Sequence, residues 1–119
     1  MKDFKKAAQA ATSGSFIMEG REKMEMALLI ATFPDGVTVN GADLINGDSG
    51  LYAAVTFAED PTKYINGGKM LTDIVKEWAA DYQDNETMSA DLAASGGVKM
   101  KFEKSRTKSG RDFTVVTIL

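Results

Sequence analysis

The sequence predicts a mainly β protein with helices, in the α+β to all-β range, built on a five-stranded barrel. Three observations lead to this prediction. Several segments alternate between apolar and polar residues, as half-buried strands do. One segment, residues 69–82, instead carries its apolar residues at helical spacing. Turn sequences such as Pro34-Asp35-Gly36 separate the segments, so that each is short enough to be one strand or one helix.

The first half of the chain predicts one helix and three strands. Residues 1–14 are alanine-rich and lysine-flanked and end in a Thr-Ser-Gly cluster, which predicts a peripheral N-terminal helix. A short strand at 15–19 is a further option. Residues 24–33 begin by alternation and become a nearly continuous apolar run, which favours a strand that enters the core. Alternation then predicts strands at 37–45 and 51–58.

The second half predicts the main helix and a closing hairpin. The apolar residues of 69–82 fall on one helical face, and we therefore interpret Trp78 and Tyr82 as buried core residues rather than ligand contacts. A second, short helix is expected near 87–94, closed by Gly96-Gly97. Strands at 98–104 and 112–119 form the final hairpin. The main helix therefore lies between the third and fourth strands.

Composition limits the possible functions. The 119 residues fit a single domain, 1–119, and they include no cysteine and no histidine. Disulfides, thiolate chemistry and the usual histidine-based catalytic arrangements are therefore excluded. We expect no enzymatic activity, no catalytic residues, no metal and no cofactor. No run of 18 apolar residues occurs, and the N-terminus lacks an apolar signal region, so we expect a cytoplasmic protein without a membrane segment.

The closing hairpin concentrates positive charge in an acidic protein. The formal net charge is -3, yet residues 99–111 hold six basic residues and one acid, a net of +5. A local positive surface is what phosphate contacts require. The candidate phosphate-binding residues are Lys99, Lys101, Arg106, Lys108 and Arg111. The alternative is that a lysine-rich hairpin tip is merely solvated and discourages edge-to-edge aggregation.

Binding of single strands also requires aromatic faces on which bases can stack. Tyr52 lies on the more polar side of the third predicted strand, and Tyr64 follows Lys63 just before a Gly-Gly-Lys sequence. Both tyrosines are candidate stacking platforms. Their alternative role is packing against lysine stems. We interpret Phe33, Phe57, Phe102 and Phe113 as core residues.

Five strands with a helix between the third and fourth is the element order of the OB-fold, which binds oligonucleotides on its strand 2 and 3 face and through its loops. Together with the hairpin VKMKFEKSRTKSGRDFTVVTIL, this order resembles the OB-fold single-stranded DNA-binding proteins, particularly the divergent ones of phages and mobile elements. The resemblance implies a non-enzymatic, sequence-tolerant binder of single-stranded DNA in replication or recombination, which self-associates as a homodimer or higher oligomer. RNA remains open as a ligand. Bacterial members typically end in a flexible acidic tail that recruits other proteins, whereas the last predicted strand runs to Leu119, so we do not expect partner recruitment through such a tail.

Two other classes of function remain open. The chain could be a protein-interaction or structural subunit, for instance of a phage particle, that does not bind nucleic acid. A carboxylate-dependent enzyme using Glu59 and Asp60 is less favoured, because adjacent strand residues point to opposite faces. The sequence NGGKML (66–71) could hold a phosphate at a helix start, although a Gly-Gly turn before a helix needs no ligand.

Overall fold

The computed structural model describes residues 17–48 and 50–119, which form six strands and three helices. The strands are β1 (Glu22–Lys23), β2 (Val37–Gly47), β3 (Gly50–Phe57), β4 (Lys63–Asn66), β5 (Val98–Arg106) and β6 (Asp112–Ile118). The helices are α1 (Met26–Thr32), α2 (Lys69–Ala79) and α3 (Asn85–Ala94).

All six strands belong to one sheet in the order β1-β4-β3-β2-β5-β6. The two-residue strand β1 pairs with β4 in parallel, and every other pairing is antiparallel. The sheet is curled into a half-barrel, and α2 packs against both the central strands and the edge strand β6. The expectation of an α+β fold with a barrel-like sheet is therefore confirmed, but the sheet has six strands rather than five.

The predicted first strand, residues 24–33, is wrong. Residues Met26–Thr32 form helix α1, whose buried side chain is Leu29. A short, continuous apolar run does not distinguish a buried strand from a helix, and this one consists mainly of the good helix formers methionine, alanine and leucine. The strands β1 and β4, which the sequence did not predict, take its place in the sheet.

The other described elements agree with the sequence. Strands β2, β3, β5 and β6 and helix α3 lie where alternation and turn signals predicted them. Helix α2 ends at Ala79, three residues before the predicted end. The predicted N-terminal helix of residues 1–14 lies outside the described residues. Of the optional strand at 15–19, only residues 17–19 are described, and these belong to a turn.

The two faces of the sheet carry different contacts. The face covered by the helices holds the main core, which includes Val39, Val55, Phe57 and Met100. A β-bulge between Val39 and Gly41 shifts the alternation of β2, so that Ala42 also joins this core. The opposite face, which we call the outer face, carries a smaller cluster of Ile17, Ile45, Ala54, Met18, Tyr52 and Tyr64.

Helix α3 seals the part of β2 that β5 leaves unpaired. β5 pairs with β2 only at Val37–Val39. Beyond that point, the Ser89 hydroxyl accepts a hydrogen bond from the Ala42 N–H at 2.9 Å and donates one to the Ala42 carbonyl at 2.6 Å. The Asn85 amide also donates to the Leu44 carbonyl at 3.2 Å. Polar side chains of α3 thus satisfy backbone groups that a neighbouring strand would otherwise bond.

Candidate nucleic-acid interface

Four of the seven predicted binding residues lie on the outer face of the sheet. Tyr52 and Tyr64 belong to the outer cluster and not to the helix-covered core. Lys99 and Lys101 alternate with Met100, which is fully buried on the helix side, so their side chains leave β5 toward the outer face. The strand register therefore brings residues from β3, β4 and β5 onto one surface.

The two tyrosines are half-buried and lie well apart on this surface. Tyr52 faces Ile45 across the β2–β3 pair, and its ring lies over Gly47, which has no side chain to displace it. Tyr64 is level with Thr56, four residues along β3 from Tyr52, so about 13 Å of strand separates the two levels. Each ring is partly covered by its cluster, which leaves part of it accessible for stacking.

The remaining three predicted residues lie on a tight hairpin, which we call the basic hairpin (residues 99–112). The β5–β6 pairing runs from Met100↔Ile118 to Arg106↔Asp112. The Thr107 N–H donates to the Arg111 carbonyl, and the Gly110 N–H donates to the Thr107 carbonyl, both at 2.9 Å. This pattern, with a positive φ of 84° at Gly110, is a turn followed by a bulge. Lys108 and Arg111 are exposed at the resulting tip.

Alternation divides the hairpin cations between two faces. Lys99 and Lys101 lie on the outer face, whereas Lys104 and Arg106 leave β5 on the opposite side, beyond the buried Phe102. Lys108 and Arg111 belong to the tip and can reach either side. The cations thus surround the hairpin and do not form one flat patch. Sequence reasoning left out Lys104, which shares its face with Arg106.

Two of the predicted cations already have an anionic partner. The Arg106 Nε atom lies 3.1 Å from Oδ1 of Asp112, and the Lys101 Nζ atom lies 3.5 Å from Oε1 of Glu103. Asp112 comes directly after the segment counted in the sequence, and it lowers the net charge of the basic hairpin to +4. For Lys99, Lys108 and Arg111, no described carboxylate lies within ion-pair distance.

The polar residues of the weaker sequence motifs form hydrogen bonds or ion pairs within the protein. The Glu59 carboxylate accepts hydrogen bonds from the Thr38 N–H at 2.8 and 3.0 Å. Asp60 accepts from the Thr62 hydroxyl and N–H, and the hydroxyl bond lowers the pKa of Asp60 most. Lys69, at the start of α2, lies 3.0 Å from the carboxylate of Asp73. Glu59, Asp60 and Lys69 therefore each have a structural contact that requires neither catalysis nor phosphate binding.

One surface feature was missed by the sequence analysis. Trp78 and Tyr82, expected to be buried, are half-buried, and each packs against the core while also lining a groove between α2 and α3. The acids Glu77 and Asp81 come from the same stretch of chain, and Asp91 comes from α3. Only the pairing of α2 with α3 reveals this groove, although the sequence did show aromatic and acidic residues interleaved over 77–82.

Neither a metal site nor a membrane helix is found in the described part of the chain. Over residues 17–48 and 50–119, no three carboxylates converge closely enough to hold a metal ion. Within the same residues, no helix combines the length and the apolar character needed to cross a bilayer. No family model matches the chain, and no match was found among curated proteins or solved structures.

Proposed function

We propose that this protein binds single-stranded nucleic acid without sequence preference, through phosphate contacts on the basic hairpin and base stacking on the outer face. The observation that carries the proposal is the exposed hairpin tip, where Lys108 and Arg111 have no described anionic partner. Such cations gain most from phosphates, because no internal ion pair has to be broken first. The proposal includes no catalytic step.

The outer face supports the same proposal. Lys99 and Lys101, at the base of the basic hairpin, lie on the side of the sheet that also carries Tyr52 and Tyr64. A strand that contacts the tip can therefore continue along a surface with further cations and two aromatic rings. Cations that follow the backbone and rings that accept any base are the two components of sequence-tolerant binding.

The proposed site resembles that of the OB-fold single-stranded DNA-binding proteins in the surfaces that would contact the ligand. In that fold, the strand 2 and 3 face and the loop between strands 4 and 5 contact the ligand. Here the comparable surfaces are the outer face of β2 and β3 and the tip between β5 and β6. The corresponding biological role is protection of replication or recombination intermediates in the cytoplasm, for a phage or another mobile element.

Fluorescence anisotropy with a labelled poly-dT oligonucleotide tests the proposal, with a duplex of the same length for comparison. If about four phosphates are neutralised, log affinity should fall with log salt with a slope near -3, because single strands give about -0.7 per contact. Changing Arg106, Lys108 and Arg111 together to alanine should weaken binding and flatten the slope. Because these three residues are exposed, the substitutions should leave the free energy of unfolding nearly unchanged.

A matched control removes three cations elsewhere. Lys23, Lys69 and Lys76 are exposed and lie outside the basic hairpin, so their triple alanine variant changes the net charge by the same amount. This control should retain most of the affinity and the full salt slope. Equal losses in the two triple variants would indicate a general charge effect and contradict a hairpin site. No binding by the parent at about 20 mM salt would refute the proposal itself.

The tyrosines make a separate contribution. Replacing Tyr64 or Tyr52 with alanine should cost about 1–3 kcal/mol of binding free energy with little change in salt slope, because stacking displaces few counterions. The Tyr64→Phe and Tyr52→Phe variants retain the ring and should bind as the parent does. If the phenylalanine variants lose as much as the alanine variants, the hydroxyl groups and not the rings are required.

The second candidate function is that of a protein-interaction or structural subunit, and β6 provides the observation in its favour. β6 is the last strand of the sheet, with no described strand on its outer side. Three apolar residues on or beside it are exposed, Phe113 by 37%, Ile118 by 52% and Leu119 by 60%. A free edge with apolar side chains can accept a strand from another protein. Absence of poly-dT binding would favour this second function.

A further inference from the structure

The groove between α2 and α3 is an acidic pocket with an apolar floor. It encloses about 330 Å³. Met88, which is almost fully buried, lies at its base, and Trp78 and Tyr82 form part of its wall. Such a combination can bury the apolar stem of a long side chain while its polar end stays near the rim.

The described charged residues that line the groove are all acidic. Among the described residues, its lining includes the carboxylates of Glu77, Asp81 and Asp91 and no lysine or arginine. The Tyr82 hydroxyl donates a hydrogen bond to Oδ2 of Asp91 at 2.9 Å, which joins the wall of the groove to α3 and fixes that carboxylate. The same hydrogen bond is the main reason that the pKa of Tyr82 is raised. A cation that enters the groove therefore meets three carboxylates and no positive charge from the described part of the chain.

The aromatic wall favours a cation of a particular kind. Lysine and arginine side chains are attracted to the face of an aromatic ring, most strongly to that of tryptophan. Among the described residues, no cation is stacked on Trp78. A lysine or arginine side chain from outside can therefore gain from Trp78, from the carboxylates and from the apolar floor together. The chemistry of the groove thus selects an exposed cationic side chain on a protein surface.

The protein itself carries such a surface. Lys108 and Arg111 are exposed at the tip of the basic hairpin, with no described carboxylate beside them. They cannot reach the groove of their own chain. Val98, the first residue of β5, lines the groove, and at about 3.3 Å per residue the strand from Val98 to Arg106 extends roughly 26 Å away from it. The tip can contact this groove only in another copy.

We propose that the groove between α2 and α3 of one copy binds the Lys108 and Arg111 tip of a second copy, so that the protein self-associates head to tail. Tip and groove are different surfaces, so the contact is heterologous, and each bound copy still offers a free tip or a free groove. Self-association therefore continues beyond the dimer unless the geometry closes a ring. The proposal does not depend on binding of nucleic acid.

Light scattering coupled to size-exclusion chromatography tests this contact on the full chain. At about 20 mM salt, the average mass should rise with protein concentration beyond that of a dimer, and at about 500 mM it should return toward the monomer, because salt screens the charges. The groove variant, Asp81→Asn with Asp91→Asn, and the tip variant, Lys108→Ala with Arg111→Ala, should each remain monomeric at low salt.

Mixing the two variants gives the decisive measurement. The groove variant keeps an intact tip, and the tip variant keeps an intact groove, so one contact remains possible between them. The mixture should form a one-to-one heterodimer and nothing larger. Formation of larger species, or no complex at all although the parent self-associates, would overturn the proposed pairing of surfaces.

Controls exclude general charge effects and other occupants. Asp35→Asn with Asp48→Asn removes two exposed carboxylates outside the groove, and Lys5→Ala with Lys6→Ala removes two cations outside the hairpin. Both should self-associate as the parent does. Loss of association in the lysine control would identify the N-terminal segment as the occupant and overturn the proposal. Poly-lysine that binds the groove of a monomeric parent would also overturn it, in favour of a different basic partner.

The outcomes separate this inference from the proposed function. The groove variant should bind poly-dT at least as tightly as the parent, because its changes lie outside the basic hairpin and the outer face and its tip is not occupied by a second copy. A parent that stays monomeric at low salt but binds poly-dT refutes the head-to-tail contact alone. A parent that self-associates but does not bind poly-dT refutes the nucleic-acid proposal alone.

Discussion

Asp43 makes the stability of this protein depend on pH in an unusual direction. The residue lies on β2, and its side chain is only 4% exposed. Asn85 of α3 donates a hydrogen bond to Oδ1 of Asp43, which favours the charged form. Burial opposes this and is the larger effect, with a further contribution from the nearby negative charge of Glu86. Together these effects raise the pKa of Asp43 from 3.8 to about 6.

The sign of the effect follows from proton binding. Between pH 3.8 and about pH 6, the folded chain holds a proton on Asp43 that the unfolded chain has released, so the free energy of unfolding falls as pH rises through this window. A difference of about two pKa units corresponds to about 3 kcal/mol, since one unit is 1.36 kcal/mol. The loss is complete above the folded pKa, and it is absent below pH 3.8.

The variant Asp43→Asn isolates this titration. Asparagine cannot ionise, but its side-chain oxygen can still accept the hydrogen bond from Asn85. Urea unfolding of parent and variant from about pH 3.5 to pH 8 should show the stability difference changing by about 3 kcal/mol in favour of the variant as pH rises. Any constant cost of the substitution cancels in this comparison. The exposed control Asp35→Asn should show much less change, and an equally flat difference for Asp43→Asn would refute the argument.

Two further predictions concern the backbone around β2. Replacing Ser89 with alanine should lower the free energy of unfolding by about 2–3 kcal/mol, because the N–H and carbonyl of Ala42 lose a buried partner. Urea unfolding measures this loss, and a value below about 0.5 kcal/mol would mean that helix α3 does not seal this edge. The variant Gly97→Ala should be clearly less stable than Gly96→Ala by thermal unfolding. Both glycines have positive φ, but only at Gly97 would a new Cβ lie 2.7 Å from the Val39 carbonyl oxygen. Equal stability of the two variants would show that this contact relaxes without cost.

Regular alternation made most of the sheet predictable. β2, β3, β5 and β6 each combine a period of two with β-branched residues and a clear turn, and these local signals coincide with the tertiary contacts. Helix α1 could not be predicted in this way, because its seven residues are nearly all apolar and therefore lack a readable period. β4 is only four residues long, and it becomes a strand through its pairing with β3.

The candidate interface was predictable in composition but not in arrangement. The sequence shows that cations are concentrated in the closing hairpin. It does not show that Arg106 is paired with Asp112, because that contact depends on the register of β5 and β6. The groove was harder to foresee, since Asp91 meets Tyr82 only when α3 packs beside α2. Properties of one segment could be inferred, whereas properties of two segments in contact required the structure.

The short junction between β5 and β2 has a consequence for how the hairpin could vary. Only three residue pairs, at Val37–Val39, join the hairpin to the rest of the sheet, and α3 occupies the remaining edge of β2. Met100 and Phe102, at the base of the hairpin, belong to the core, but the length of the hairpin beyond them is independent of it. Two residues added to each strand near Arg106 and Asp112 would extend the reach of the tip by about 6.6 Å and keep every existing side chain on its present face. The part of the hairpin beyond Phe102 can thus be lengthened or shortened while the core keeps its packing.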